Sequence, residues 1–297
     1  MAALFIFYRM RNDDVVHFYH KNWSVLLKIL QVDKTYCIHH GYYEKGIRTH
    51  VQSVLHMNDF IGRLLQLETQ GNQSKQILDA GCGIGGTVLH LAKKYPDNKF
   101  TGITIIPEHI TLAKNLAKEQ QVTRNTDFLL ADFINTGFSA NHFDAIYLIE
   151  SACYAQKKQM LLHEVYRILK PGGTLVIVDC FRTTIPLNQL LNKFYVGFCQ
   201  AWSLPNLISL EECEKILKTE GFQNIATKDL TKNVMRTILR CDVLGIPYLL
   251  LMVLRRTIHG KRYHLQKDAG FLAVASYCSS IIGLAKGITY NVVTAIK

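Results

Sequence analysis

Leu78-Asp79-Ala80-Gly81-Cys82-Gly83-Ile84-Gly85-Gly86 is the stretch that decides how this chain is read. Gln76–Ala80 is a short strand carrying Asp79 near its end. Gly81, Gly83 and Gly85 then recur at every second position, and a helix begins at Thr87. Glycines let the backbone approach a ligand closely, and a helix start points free N–H groups at it. Such a turn can also serve strand–helix packing alone. The acidic residue before it narrows the choice. A carboxylate at Asp79 repels a bound diphosphate and suits an amino group, which argues against a nicotinamide dinucleotide and for a cofactor that carries an amino acid.

The same logic extends on both sides. Downstream, strands alternate with helices. Lys99–Ile103, Phe128–Ala131, Phe143–Ile149 and Thr174–Asp179 read as strands two to five. Thr87–Lys94, Pro107–Gln120 and Lys157–Leu169 read as helices, with Pro107 in a first turn and Lys170-Pro171-Gly172-Gly173 as a terminating turn. That alternation implies a three-layer α/β fold with a mostly parallel sheet. Leu187–Trp202 and Leu210–Thr219 continue as helices, the second capped by Ser209 with Glu211 and Glu212 behind it. Ile225–Asp229 is a sixth strand, Val234–Ile282 two or three long helices, and Thr289–Ile296 a seventh strand. Upstream, Val15–Leu30 and Val51–Leu67 carry the helical period, with Gln70–Lys75 as a polar linker. The resulting plan is an N-terminal helical cap (1–70), a Rossmann-like core (71–182), and substrate-binding helices with the remaining strands (183–297).

Three segments in order resemble the class I S-adenosylmethionine-dependent methyltransferases: Asp79–Gly86, Ala131-Asp132-Phe133 after strand three, and Leu169–Gly173 before strand five. The resemblance is strong over Gln76–Asp179. It implies S-adenosylmethionine as cofactor, held by Asp79, Gly81, Cys82, Gly83 and Gly85 at its methionine end. Asp132 and Phe133 would sit at its adenine. Strand two departs from most of the family, with Thr104 where an acidic residue usually takes the ribose hydroxyls. Gly102–His109 looks instead like the branch of cyclopropane fatty acid synthases and sterol and tocopherol C-methyltransferases. His109 stands where that branch has a glutamine, so Thr104, Glu108 and His109 are the ribose candidates.

Ile149-Glu150-Ser151-Ala152-Cys153-Tyr154-Ala155 resembles the segment that lines the pocket beneath the methyl donor in this branch. Glu150 stands at a strand's C-terminal end, where open α/β sheets place function. Its carboxylate could stabilise a developing cation or remove a proton, or simply cap a loop. Tyr154 is a contact to substrate or plain packing. His39-His40-Gly41-Tyr42-Tyr43 resembles the branch's cap segment, and His40 joins Glu150 and Tyr154 as a catalytic candidate. Tyr19, Tyr42, Tyr43, Phe194, Phe198, Trp202 and Tyr248 are candidates for the acceptor pocket, with Tyr195, Tyr263 and Phe271 as further wall.

Composition bounds the rest. The chain has 297 residues, 48% of them hydrophobic and 19% charged, which excludes disorder and coiled coil as its main state. Its eight cysteines include no Cys-x-x-Cys pair, and no dense metal-ligand set is visible, so no metal is expected. The start of the chain lacks a basic region before its apolar Met1–Tyr8, and the cysteines suit a reducing, cytoplasmic setting. Residues 228–297 hold eleven Lys/Arg and three Asp, a net +8, beside the apolar runs Gly245–Leu254 and Gly270–Ala285. Those runs are too short to span a bilayer, so the expectation is peripheral membrane contact, an anionic substrate head, or a solvated basic face. No Asn/Asp-Pro-Pro-aromatic motif supports nucleic acid as partner. The sequence carries no signal for oligomeric state. The expected activity is methyl transfer to a small apolar acceptor, first a carbon of an isoprenoid, sterol-like or other lipid. The alternative is an O- or N-methyltransferase of a small natural product or amine.

Overall fold

A computed structural model describes residues 12–68, 74–205, 207–259 and 271–297. Helices α1 (Asn12–Ile29), α2 (Val32–Thr35) and α3 (His50–Leu64) precede the sheet. α3 starts one residue before the apolar period does, because Thr49 and Gln52 cap each other reciprocally. The core then runs β1 (Gln76–Ala80), α4 (Gly86–Lys94), β2 (Lys99–Thr104), α5 (Pro107–Glu119), β3 (Thr126–Leu130), β4 (Phe143–Ile149), α6 (Lys158–Ile168) and β5 (Leu169–Arg182). After it come α7 (Gln189–Ala201), α8 (Leu210–Glu220), β6 (Gln223–Asp229), α9 (Thr231–His259), α10 (Phe271–Leu284) and β7 (Ile288–Ile296). The expected turn Lys170–Gly173 lies inside β5, where the pairing with β4 jumps from Phe143↔Leu169 to Ala145↔Thr174. Backbone bonds between Gly172, Gly173 and Lys297 keep that irregular segment in the sheet.

The seven strands lie in the order β3-β2-β1-β4-β5-β7-β6. β1 to β5 pair in parallel, and β7 inserts antiparallel between β5 and β6. Strand order reverses between β1 and β4, so their C-terminal ends flank the crevice where such sheets bind ligands. Alternation along each strand splits the core. Ile77 and Tyr147 face a cluster with α3 and α4, while Leu78, Ile146 and Leu148 face α6 and α8. Met57, Ile61 and Leu65 of α3 belong to the first cluster, so the N-terminal helices share the core of the sheet. α1 packs on Ile84 and Ala201, and α7 packs with α10. Helices α9 and α10 therefore form an excursion between β6 and β7 that returns over the strand ends.

Candidate active site

Two cavities meet at the C-terminal ends of β1, β2, β4 and β5. The larger is a cleft of about 870 Å³ walled by Gly81, Gly83, Thr104, His109, Asp132, Phe133, Glu150 and Tyr154, with Asn12 and Tyr19 of α1 across it. The glycine turn is shaped by contact as much as by conformation. Gly81 has φ +105, and a Cβ there would lie 2.4 Å from that of Ser151, whose hydroxyl donates to the Ala80 carbonyl. Gly85 has φ +85, and a Cβ would meet the Phe128 ring at 2.5 Å. Both positions therefore exclude every side chain.

The sequence candidates divide around this cleft. Gly81, Gly83, Thr104, His109, Asp132 and Phe133 line it. Asp79 is buried just behind the turn, and that burial raises its carboxyl to a pKa of about 7. Cys82 and Gly85 support the turn from the rear, against Gly102 and Phe128. Glu108 is exposed and paired with His20 at 3.0 Å, off the cavity wall. His109 is buried and kept neutral, its pKa lowered to about 4 by desolvation, and its Nδ1 has no partner among the described residues. Asp132 Oδ1 accepts from the Ile134 amide at 3.1 Å, while Oδ2 accepts from Asn12 Nδ2 at 2.8 Å.

The second cavity is a chamber of about 110 Å³ under α7, α9 and α10, and it shares Tyr19, Glu150 and Tyr154 with the cleft. Phe198, Trp202, Leu204, Val234, Ile238 and Ile288 give it apolar walls. No Lys or Arg lines it among the described residues, whereas two carboxylates do. Glu150 is held in the left-handed region at φ 49, a costly position for a non-glycine residue. One of its oxygens accepts from the His40 amide at 2.6 Å, His40 Nδ1 at 2.8 Å and the Tyr290 hydroxyl at 2.7 Å. Burial alone would raise its pKa, but the His40 contacts and nearby His39 hold it below the usual range, so Glu150 stays ionised. His39 itself sets both ring nitrogens on oxygen acceptors, the His40 carbonyl and Asn58 Oδ1, each at 3.0 Å. Burial opposes its charge, yet its surroundings, Cys37 foremost, raise its pKa to about 9.

Asp179, like His39 and Tyr290, is a chamber residue that sequence reasoning missed. It sits one strand over from Glu150, on β5, and is buried. Burial raises its pKa to about 6, against the pull of hydrogen bonds from the Cys153 and Cys180 amides, each at 2.8 Å. The rule that singled out Glu150, an acidic residue at a strand's C-terminal end, applies equally to Asp179. Cys153, Asp179 and Cys180 bring their ligand atoms within 4.8 Å of one another. The cluster serves as chamber floor, with both thiols pushed up in pKa and Lys158 at its back donating to the Cys153 carbonyl at 2.8 Å.

The remaining candidates scatter. Phe198 and Trp202 line the chamber, and Tyr19 and Tyr154 stand between the cavities with ring centroids 6.3 Å apart. Phe194 and Tyr248 pack behind the walls. Tyr42 points into the core, stacked on His56, its hydroxyl between Glu44 and Lys228. Tyr43 lies under Arg236 at 4.8 Å. Tyr195 is buried and its hydroxyl accepts from the Leu207 amide. Tyr263 and the side chain of Phe271 lie outside the described residues.

Comparison with known proteins fits this geometry. The family profile for a methyltransferase domain matches residues 77–173. Cycloartenol-C-24-methyltransferase 1 of Oryza sativa subsp. japonica is 33% identical over 171 residues, 57% of this chain and 49% of that protein. A probable chloroplastic tocopherol O-methyltransferase of the same plant is 28% identical over 207 residues, 66% of this chain and 57% of that protein. The chain thus spans about half the length of these relatives. The mycolic acid cyclopropane synthase CmaA1, solved with SAH and CTAB, superposes with a TM-score of 0.77 at 16% identity, over 97% of this chain and 99% of that one. Residues 77–173 are a methyltransferase domain, and the chain is related to the sterol and tocopherol methyltransferases and has the class I fold.

Proposed function

We propose that this chain transfers a methyl group from S-adenosylmethionine to a carbon of a small apolar acceptor, an alkene-bearing isoprenoid, sterol-like molecule or other lipid. The observation that carries the reading is the junction. A glycine-walled cleft, the more polar of the two, and an apolar chamber meet at Tyr19, Glu150 and Tyr154 and nowhere else on their walls among the described residues. The cleft fits the cofactor. His109 offers a buried nitrogen in want of a hydroxyl, Gly83 leaves bare backbone at the wall, and Asp79 offers a carboxylate for an amino group. Asp132 would take the adenine amino group, replacing the Asn12 amide it now accepts from, with Phe133 beside the ring. When bound, S-adenosylmethionine supplies an electrophilic methyl group.

The chain's own residues do the rest. Buried walls exclude water and align the acceptor with the junction. An alkene that takes up a methyl group becomes a cation. Ionised Glu150, fixed by three donors, lowers the energy of that charge without reorganising. The faces of Tyr19 and Tyr154 add cation–π attraction of about 0.5–2 kcal/mol each. A carboxylate held below its usual pKa is a poor proton acceptor, so that task falls to Asp179. Two carboxylates driven apart in pKa divide into charge stabiliser and base. The chamber holds about an eighth of the cleft's volume, and with two carboxylates and no Lys or Arg on its described walls it suits an apolar tail, any anionic head remaining outside. A cytoplasmic chain in peripheral contact with a membrane is the setting that suits such an acceptor.

The test is incubation of the protein with a lipid extract and cofactor labelled in its methyl group. A labelled lipid whose new methyl is bonded to carbon, by mass spectrometry and NMR, is the expected product. Label found only in O- or N-methyl products would overturn the carbon acceptor, and absence of any labelled product the enzyme reading.

A further inference from the structure

α9 changes character along its length. Its first half roofs the chamber. Val234, Met235, Ile238 and Cys241 line the cavity, Val234 and Thr237 are fully buried, and Asp242 holds the Ser280 hydroxyl of α10. From Val243 onward the same helix keeps one side packed on the body and leaves the other bare. Val243, Ile246, Leu250, Val253, Leu254 and Ile258 are all exposed, and at 100° per residue they fall within an arc of about 140°, one apolar face, while Gly245 and Met252 on the other side are buried. An exposed apolar helix face of that width marks a surface meant to be covered, by another protein or by lipid. By length and composition alone α9 could cross a membrane, with mean hydropathy 1.8 over its most apolar window, and only 22% of that window is buried. A core helix would be mostly covered.

The geometry rules out a span. The roof half is fixed to the protein by Arg240, which donates to the Ile29 carbonyl, and by the α10 contacts. The half with the bare face, Val243–Ile258, is about 24 Å long at 1.5 Å per residue. That falls short of a hydrocarbon core of roughly 30 Å, and exposed Arg255 and Arg256 stand near its end. Charge distinguishes the two occupants an exposed apolar helix could have. Arg255 and Arg256 are exposed on this half, which carries no acidic residue. A second copy of the chain would set those like charges together, whereas an anionic bilayer surface would neutralise them.

We propose that the Val243–Ile258 half of α9 dips into one leaflet of a bilayer containing anionic lipid, so that an apolar acceptor enters the chamber from the membrane, beneath the roof the same helix forms. The entry route rests on the lipid acceptor argued above; the insertion does not. The experiment uses the full chain with vesicles of phosphatidylcholine, alone or mixed with phosphatidylserine. Wild type should cosediment with the mixed vesicles about tenfold more strongly than with the neutral ones, less so at high salt. A Leu250→Trp variant should be quenched by lipids brominated in their chains. The double variant Leu250→Asp/Leu254→Asp should lose about tenfold in vesicle binding. Its cofactor affinity by calorimetry should be unchanged, which reports that it is folded. Failure to bind either vesicle, absence of quenching, or a double variant that binds like wild type would overturn the insertion. So would a concentration-dependent dimer, dispersed by the double variant, in a protein that ignores vesicles. Vesicle binding is read without methyl transfer, so its failure leaves the catalytic reading standing, and failure of turnover leaves the insertion standing.

Discussion

The cleft and the chamber share three side chains, yet they are assembled by opposite means. Most of the cleft comes from one short span of chain, Gly81 to Tyr154, wrapped around four adjacent parallel strands. The chamber draws on Tyr19, His40, Asp179, Trp202, Ile238 and Tyr290, from helices at both ends of the chain and a strand inserted last. Their electrostatics differ accordingly. The cleft keeps one buried acid, Asp79, close to neutrality behind a backbone turn. The chamber holds two acids on neighbouring strands and drives them apart, Glu150 down by its charge interaction and hydrogen bonds with His40 and Asp179 up by burial. A recognition site can be made from local backbone, whereas a reaction site needs side chains whose environments only distant segments supply.

Substitutions should separate the two regions by what they change. The largest effect is expected at Asp179. Asp179→Asn should slow single-turnover methyl transfer by roughly 10²–10⁴-fold and leave cofactor affinity unaltered. The ionised form is the one that takes a proton, so wild-type rate should rise with pH through a midpoint near 6, and the variant should lose that rise. Wild-type turnover in the variant would break the division of labour between the two acids. Glu150→Gln comes next, with turnover down about 10–100-fold and cofactor affinity nearly intact. Because its carboxyl lies below the usual range, this position should add no inflection near neutrality. The smallest effect on turnover at saturation belongs to Asp79→Ala, which should instead weaken cofactor binding by about 10–100-fold in calorimetry. With Asp79 raised to about 7 in the free protein and ionised when paired with an amino group, wild-type affinity should tighten as pH rises from 6 to 8. A pH-independent affinity would place the amino group elsewhere.

How much was legible follows the same line. The Asp79–Gly86 turn announces itself because its chemistry is local, three alternating glycines with an acid before them, whereas Asp132 and Phe133 stand out only through the family resemblance. Glu150 was found by its place at a strand end, and Asp179 could have been by the same rule. Tyr42 and Tyr43 could not be sorted from Tyr19. All three are aromatic residues in N-terminal segments, and only packing turns Tyr42 onto His56 and Tyr19 into the junction. Counting uninterrupted apolar runs also understated the apolar length of α9, because Arg240 and Asp242 break the run while the helix continues through them.

The sequence by itself determined the alternation of strands and helices, the glycine turn, and with them the sheet and its cofactor-sized cleft. These depend on periodicity and on backbone positions that tolerate no side chain, both properties of neighbouring residues. Tertiary structure alone decided that β7 runs antiparallel between β5 and β6, which brings the Tyr290 hydroxyl to Glu150. It alone set Asp179 in a dry wall beside a charged Glu150, and left one apolar face of α9 bare. Burial and charge proximity are sums over groups far apart in the chain, and those sums exist only once the chain has closed on itself.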